Sequence, residues 1–122
     1  MVVRRDGGEK RFVPLAGIGD ELKRTLAQMQ SDMFRVALER REKNSHRGPI
    51  TWEKFKEIID GDGGFVYTGW CGDGDCEAGV KGETKATIRV IPDPEFRSKE
   101  TPTECVKCGG PSVAEVVWAK AY

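Results

Sequence analysis

Gly64-Phe65-Val66-Tyr67-Thr68-Gly69-Trp70-Cys71-Gly72-Asp73-Gly74-Asp75-Cys76 is the stretch on which the reading of this chain turns. Aromatic and β-branched residues fit a pleated, half-buried surface, so 64–70 is predicted to be a strand. The strand runs directly into one cysteine, and a Gly-Asp-Gly-Asp loop leads to a second. After 28 further residues comes another pair, Cys105-Val106-Lys107-Cys108, with Gly109 behind it. Short loops between cysteines let two sulfurs reach one tetrahedral zinc at about 2.3 Å. In the second pair the glycine can turn backbone N–H groups toward sulfur, and in the first Gly72 and Gly74 loosen the loop. All four cysteines fall at predicted strand ends or in loops, so one shared structural zinc held by Cys71, Cys76, Cys105 and Cys108 is expected.

Other chemistries use the same residues. Two disulfides would suit an oxidising compartment, but Met1 to Asp6 shows no export signal. A redox Cys-x-x-Cys opens a helix, whereas Gly109-Gly110-Pro111 follows here. Iron accepts the same four ligands, and the sequence does not separate it from zinc. Four protein ligands leave no position to activate water, so the metal is expected to be structural rather than catalytic.

Outward from this core, helices and strands interleave. Upstream, Val2–Asp6 and Glu9–Pro14 are predicted as two strands around a Gly7-Gly8 hairpin turn. Asp20 is expected to cap a long helix reaching Lys43, with Leu22, Leu26, Met29, Met33 and Ala37 as a core-facing stripe. Phe34 and Leu38 widen its later half, which is then expected to touch either two layers of its own domain or a neighbouring one. Asn44–Pro49 is expected to be a polar loop carrying the lone and solvated His46. Thr51 caps a second helix, Trp52–Asp60, burying Trp52, Phe55, Ile58 and Ile59. Asp60-Gly61-Asp62-Gly63-Gly64 lacks the remaining ligands of a calcium loop and reads as a turn. Downstream, Glu77–Lys85 is predicted as a short helix weakened by Gly79 and Gly82. Ala86–Ile91 is a strand, 92–103 an exposed proline-containing loop, and Val113–Tyr122 a last strand. The expected fold class is α+β, a two-layer sandwich of a mixed β-sheet with helices on one face, preceded by the long helix and the hairpin.

The chain has 122 residues, 20 Lys+Arg and 20 Asp+Glu. Net neutrality excludes a polybasic protein bound to nucleic acid by charge alone. Residues 1–50 carry 11 basic against 7 acidic side chains, and the remainder 9 against 13. The basic half leaves room for a second reading, a free-standing zinc-containing nucleic-acid-binding module. The chain has no phosphate loop, nucleophile elbow or His-Glu-x-x-His motif. It is therefore expected to catalyse nothing by itself. No apolar run approaches the length of a membrane span. Met1 leading straight into a strand suggests a cut inside a larger protein.

Arg4-Arg5-Asp6, Gly8-Glu9-Lys10 and Val13-Pro14 ahead of the long helix resemble the end of a class II anticodon-binding domain. Thr51-Trp52-Glu53, Phe55-Lys56, Gly64-Phe65-Val66, Trp70-Cys71-Gly72-Asp73, Cys76-Glu77, Ala86-Thr87-Ile88-Arg89, Ile91-Pro92, Cys105-x-x-Cys108-Gly109 and Ala119-Lys120-Ala121-Tyr122 together resemble the C-terminal domain of prolyl-tRNA synthetases of the archaeal/eukaryotic-like type. The resemblance implies three segments: 1–14, the end of the anticodon-binding domain; 15–50, a connecting helix and loop; 51–122, the zinc-binding domain. It also implies a cytoplasmic, homodimeric parent that joins proline to tRNA(Pro) with ATP and Mg²⁺. Those cofactors belong to an upstream catalytic domain, and the fragment alone would be inactive. Its partners would be the catalytic and anticodon-binding domains and, through them, the tRNA. The resemblance further implies zinc on the four cysteines and a Tyr122 carboxylate reaching toward the parent active site. Gly79 and Gly82 depart from the helix formers the family prefers.

Overall fold

From Asp20 to Lys43 nothing interrupts helical hydrogen bonding, and helix α1 spans Ile18–Lys43. It begins two residues before the expected Asp20 cap, because Gly17, at φ +81°, turns the chain and its carbonyl accepts from Glu21 N at 3.1 Å. Asp20 and Glu21 then lie in the first turn and Arg40, Arg41 and Lys43 in the last, matching the helix dipole. The computed structural model describes residues 1–8 and 10–121; Glu9 and Tyr122 lie outside the described residues. It forms two compact units, Met1–Lys43 and Asn44–Tyr122.

In the first unit the expected hairpin is reduced to one bridge. Val2 and Arg11 exchange backbone hydrogen bonds of 2.7 and 2.8 Å. A lone two-stranded ribbon is marginal in water, and side chains do the fastening instead. The Arg4 guanidinium donates to Asp6 and, at 2.7 Å, to Asp32 on α1. Arg11 donates to Thr25 Oγ1 at 3.0 Å and pairs with Glu21. The expected core-facing stripe is a correction: Leu26 is 64 % and Phe34 67 % exposed, with Leu22, Met33, Val36 and Leu38 exposed as well. Polar pairs, not this stripe, join the hairpin to the helix, and Thr25 is the buried residue of α1.

The second unit contains β1 (Ser45–His46), α2 (Trp52–Asp60), β2 (Phe65–Trp70), α3 (Gly74–Thr84), β3 (Ala86–Val90) and β4 (Ala114–Lys120). Strand order is β1-β2-β4-β3, with β1 parallel to β2 and both other pairings antiparallel. The sheet is thus mixed. Alternation along the strands puts Val66, Val116 and Trp118 on one face, where Phe55 and Ile59 of α2 and Val80 of α3 complete the core. Phe55 stacks on Trp52 at 5.3 Å and meets Trp118 edge-on at 5.8 Å. The Trp118 indole N–H donates to Thr68 Oγ1 at 2.9 Å, which satisfies both buried groups.

Three expectations need correcting here. His46 lies in β1, not in a loop: Phe65 N donates to Asn44 O at 2.8 Å. This close passage needs Gly64, whose added Cβ would lie 2.5 Å from Asn44 O at φ +110°. Helix α3 starts at Gly74 rather than Glu77, since Asp73 accepts from Asp75 N at 2.8 Å and caps it early. The segment after β3 is not simply exposed. Pro92 is buried, and Ser98 N donates to the buried Glu115 carboxylate at 2.9 Å. Arg47 lies 3.6 Å over the Tyr67 ring and donates to Phe96 O at 3.1 Å. This segment therefore covers the sheet face opposite the helices, where Tyr67, Glu115, Val117 and Ala119 are buried.

Candidate metal centre

Strand β2 ends where the first sulfur begins. Trp70 is fixed on both sides: its N–H donates to Ser112 Oγ at 3.2 Å, and its carbonyl accepts from Val113 N at 2.8 Å. Its indole N–H donates to Asp73 O at 3.0 Å, folding the chain after Cys71 toward α3. Gly72, at φ +85°, allows that turn. The early start of α3 then places Cys76 in its first helical turn.

The second pair is carried by a tight turn lying along β2. Val106 N donates to Gly69 O at 3.1 Å, and Gly69 and Cys105 form a parallel bridge. Cys105 N donates to Gly110 O at 2.7 Å and Gly109 N to Cys105 O at 2.9 Å. Gly109 sits at φ +70°, and Gly110 N donates to Cys108 Sγ at 3.4 Å. The glycine read beside the second pair thus turns the chain, and the N–H that reaches sulfur belongs to its neighbour.

These two supports bring all four cysteines together. Their Sγ atoms lie within 4.8 Å of one another, with Cys105 buried, Cys71 and Cys76 half-buried and Cys108 exposed. None is in a disulfide. Four sulfurs around a tetrahedral zinc would stand about 3.8 Å apart, so a small contraction of this cluster accommodates the ion. His46 does not join them; its Nε2 lies 3.1 Å from Gly63 O. Tyr122 lies outside the described residues.

Thiol chemistry in the cluster is divided. Burial pushes the Cys105 thiol up, but backbone N–H groups of Cys108, Lys107 and Cys71 aimed at its sulfur outweigh this and bring it to about 7. Cys76 is pushed up to about 12, first by its hydrogen bond with Cys71 and then by burial and Cys108. Only part of the cluster ionises readily by itself, and a divalent cation would favour the thiolate form of every member. Beside it, the Lys107 ammonium pairs with Glu83 and lies 4.3 Å from the Trp52 ring centre. Gly79 makes room for it: an added Cβ would lie 3.2 Å from the Lys107 stem.

Two supporting residues escaped the sequence reading. Gly69 lets the Cys105 turn approach β2; a Cβ there would strike Glu104 O and lie 2.8 Å from Ser112 Oγ. Ser112 holds the two cysteine-bearing segments together through Trp70. A glycine inside a predicted strand was the available signal for the first, since it marks close backbone approach. No sequence signal singled out the serine.

The chain is similar to known proteins along its whole length. It is 41 % identical to a proline–tRNA ligase of Oceanobacillus iheyensis and 42 % identical to one of Chlorobium phaeobacteroides. All of this chain is covered in both, against 24 % and 26 % of those proteins. It therefore spans about a quarter of the curated relatives it matches. A crystal structure of prolyl-tRNA synthetase from Cryptosporidium parvum, complexed with L-proline and AMP, superposes with a TM-score of 0.83 at 25 % identity. That match covers 98 % of this chain and 25 % of the other. The family described as "Prolyl-tRNA synthetase, C-terminal" matches residues 52–122. With α2, strands β2 to β4, α3 and all four cysteines inside that match, the chain belongs to the prolyl-tRNA synthetase C-terminal family.

Proposed function

We propose that this chain is the non-catalytic C-terminal part of an ATP-dependent proline–tRNA ligase of the archaeal/eukaryotic-like type. The observation that carries the proposal is the full-length match to about one quarter of ligases from several organisms. On this reading residues 1–14 end the anticodon-binding domain, 15–50 connect, and 51–122 form the C-terminal domain. The exposed apolar residues of α1 support a neighbour supplied by the rest of the ligase, since burying each would gain about 1.5–3 kcal/mol. Proline, ATP, Mg²⁺ and tRNA(Pro) would be handled by the upstream domains of a cytoplasmic homodimer. No helix among the described residues is long and apolar enough to cross a membrane.

Cys71, Cys76, Cys105 and Cys108 would hold one structural Zn²⁺, tying the end of β2 and the start of α3 to the turn before β4. The four-sulfur geometry supports this assignment. When bound, the ion supplies cross-linking and charge neutralisation rather than an open coordination position. The Tyr122 carboxylate would reach toward the parent active site. A free-standing nucleic-acid-binding module is less well supported, because Phe55 is buried and Trp52 is stacked on it beneath the Lys107 ammonium.

A chimera tests the assignment. The matching C-terminal quarter of the Oceanobacillus iheyensis ligase is replaced by this chain, and proline attachment to tRNA is measured. The chimera is expected to retain charging, whereas the isolated chain should have none. A soluble, folded and zinc-loaded chimera without charging activity would refute the proposal.

A further inference from the structure

The four cysteines are equivalent as zinc ligands but not in access. Cys105 is buried, Cys71 and Cys76 are half-buried, and Cys108 is exposed. Their supports differ as well. Cys76 is held in the first turn of α3 and Cys71 follows a strand end, whereas Cys108 occupies the turn that closes at Gly109 and Gly110. Oxidation of cysteine follows thiolate character and exposure. Zinc binding secures the first, and the fold reserves the second for Cys108.

We infer that the Cys105–Cys108 pair is an oxidation site for small hydroperoxides, through which the domain releases its metal. This rests on the zinc reading above. The Cys108 sulfur attacks one peroxide oxygen; an S–O bond forms, the O–O bond breaks and hydroxide leaves, giving a sulfenic acid. The Cys105 thiolate, three residues away in the same turn, then attacks the Cys108 sulfur. An S–S bond forms and the second oxygen departs as hydroxide. Two thiolates lose two electrons in all, and one hydrogen peroxide with two protons from solvent becomes two waters. The ion is left with Cys71 and Cys76, too few ligands to retain it. A thiol reductant with added zinc reverses the sequence.

The sequence supplies a direct readout. Trypsin cuts after Lys107, between the two cysteines, so a Cys105–Cys108 disulfide links peptide 100–107 to peptide 108–120. Cys71 and Cys76 lie together in peptide 57–81, where a disulfide would instead remove two hydrogens without linking peptides. The 122-residue chain is loaded with zinc, its metal content is measured, and it is treated with hydrogen peroxide beside a chromogenic chelator. Release of one zinc per chain is expected, in step with the linked pair 100–107/108–120 and reversible by thiol. Zinc that stays bound under oxidation, or a first disulfide inside 57–81, overturns the inference while leaving the zinc reading intact. A chain that takes up no zinc overturns the zinc reading and this inference with it.

Discussion

Replacing Gly69 with alanine tests whether the approach of two backbone segments builds the metal centre. The added methyl would strike Glu104 O and lie 2.8 Å from Ser112 Oγ and 2.9 Å from Ser112 Cβ. Carbon contacts are comfortable only from about 3.5 Å, so the turn carrying Cys105 must retreat by more than half an ångström. A zinc site tolerates deviations of about 0.2 Å in its bond lengths. The displaced turn also strains the 3.1 Å bond from Val106 N to Gly69 O. Overpacking of about 1–3 kcal/mol with one lost hydrogen bond of about 1 kcal/mol gives a destabilisation of about 2–4 kcal/mol. In a unit of this size that lowers Tm by about 8–30 °C. Competition against a chromogenic chelator should show zinc affinity reduced by about 10- to 100-fold. Gly82→Ala is the control of opposite sign: nothing lies within 4 Å of its Cβ. It should raise stability by about 0.5–1 kcal/mol with zinc affinity unchanged. Wild-type melting and wild-type zinc affinity in Gly69→Ala would refute the reasoning.

Three other perturbations reach different parts of the molecule. Thr68→Val removes the acceptor of the buried Trp118 indole N–H and should cost about 1–3 kcal/mol in denaturant unfolding; an unchanged midpoint would show that the bond contributes nothing. Zinc uptake must displace protons from Cys71 and Cys76, whose thiols are both raised, Cys76 to about 12. Affinity should therefore rise at least about 100-fold per pH unit near and above neutrality, and more steeply below pH 7, where Cys105 also holds its proton; a calorimetric slope under about tenfold per unit would contradict this. In the first unit, hydrogen bonds from Arg4 and then Gln28 hold the Asp32 carboxyl below its usual range. Its contribution is complete above pH 3.8 and is lost as pH falls through the depressed folded value. Asp32→Asn should remove that acid-induced step in exchange protection of the Val2 and Arg11 amides, and a persisting step would assign it elsewhere.

What was legible in the sequence followed from local rules. The Thr51 cap and the spacing of Phe55 and Ile59 located α2, and the β-branched and aromatic run located β2, because such preferences act within a few residues. The second cysteine pair with its glycine turn was equally local. Errors arose where a distant segment supplied the partner. His46 became a strand residue because Gly64 admits Asn44 alongside, an interaction across 20 residues of sequence. The cover over Tyr67 comes from Arg47, which donates in turn to Phe96 O, residues that no periodicity connects. The stripe on α1 had helical spacing, as expected, yet spacing specifies a face and not what lies against it.

The position of the cysteines explains why a metal is useful there. Between β3 and β4 the chain has only one short helical turn, Pro94–Phe96, as regular structure among its described residues. That segment must nevertheless deliver β4 into the middle of the sheet, between β2 and β3. Scattered hydrogen bonds rather than a continuous ladder hold it, and a buried Glu115 oxygen without a partner among the described residues adds a desolvation cost. A zinc joining 71–76 to 105–108 closes a loop of about 30 residues, a restraint on the unfolded chain worth roughly 3–4 kcal/mol if treated like a covalent cross-link. It would act where Trp70 pairs with Ala114, so an ion held beside the end of β2 would also restrain the register in which β4 begins. A one-residue slip there would exchange Trp118 and Val116 for Glu115 and Val117 on the helix-covered face. A metal there would thereby be coupled to the core through strand register, although none of the four cysteines belongs to the central apolar cluster.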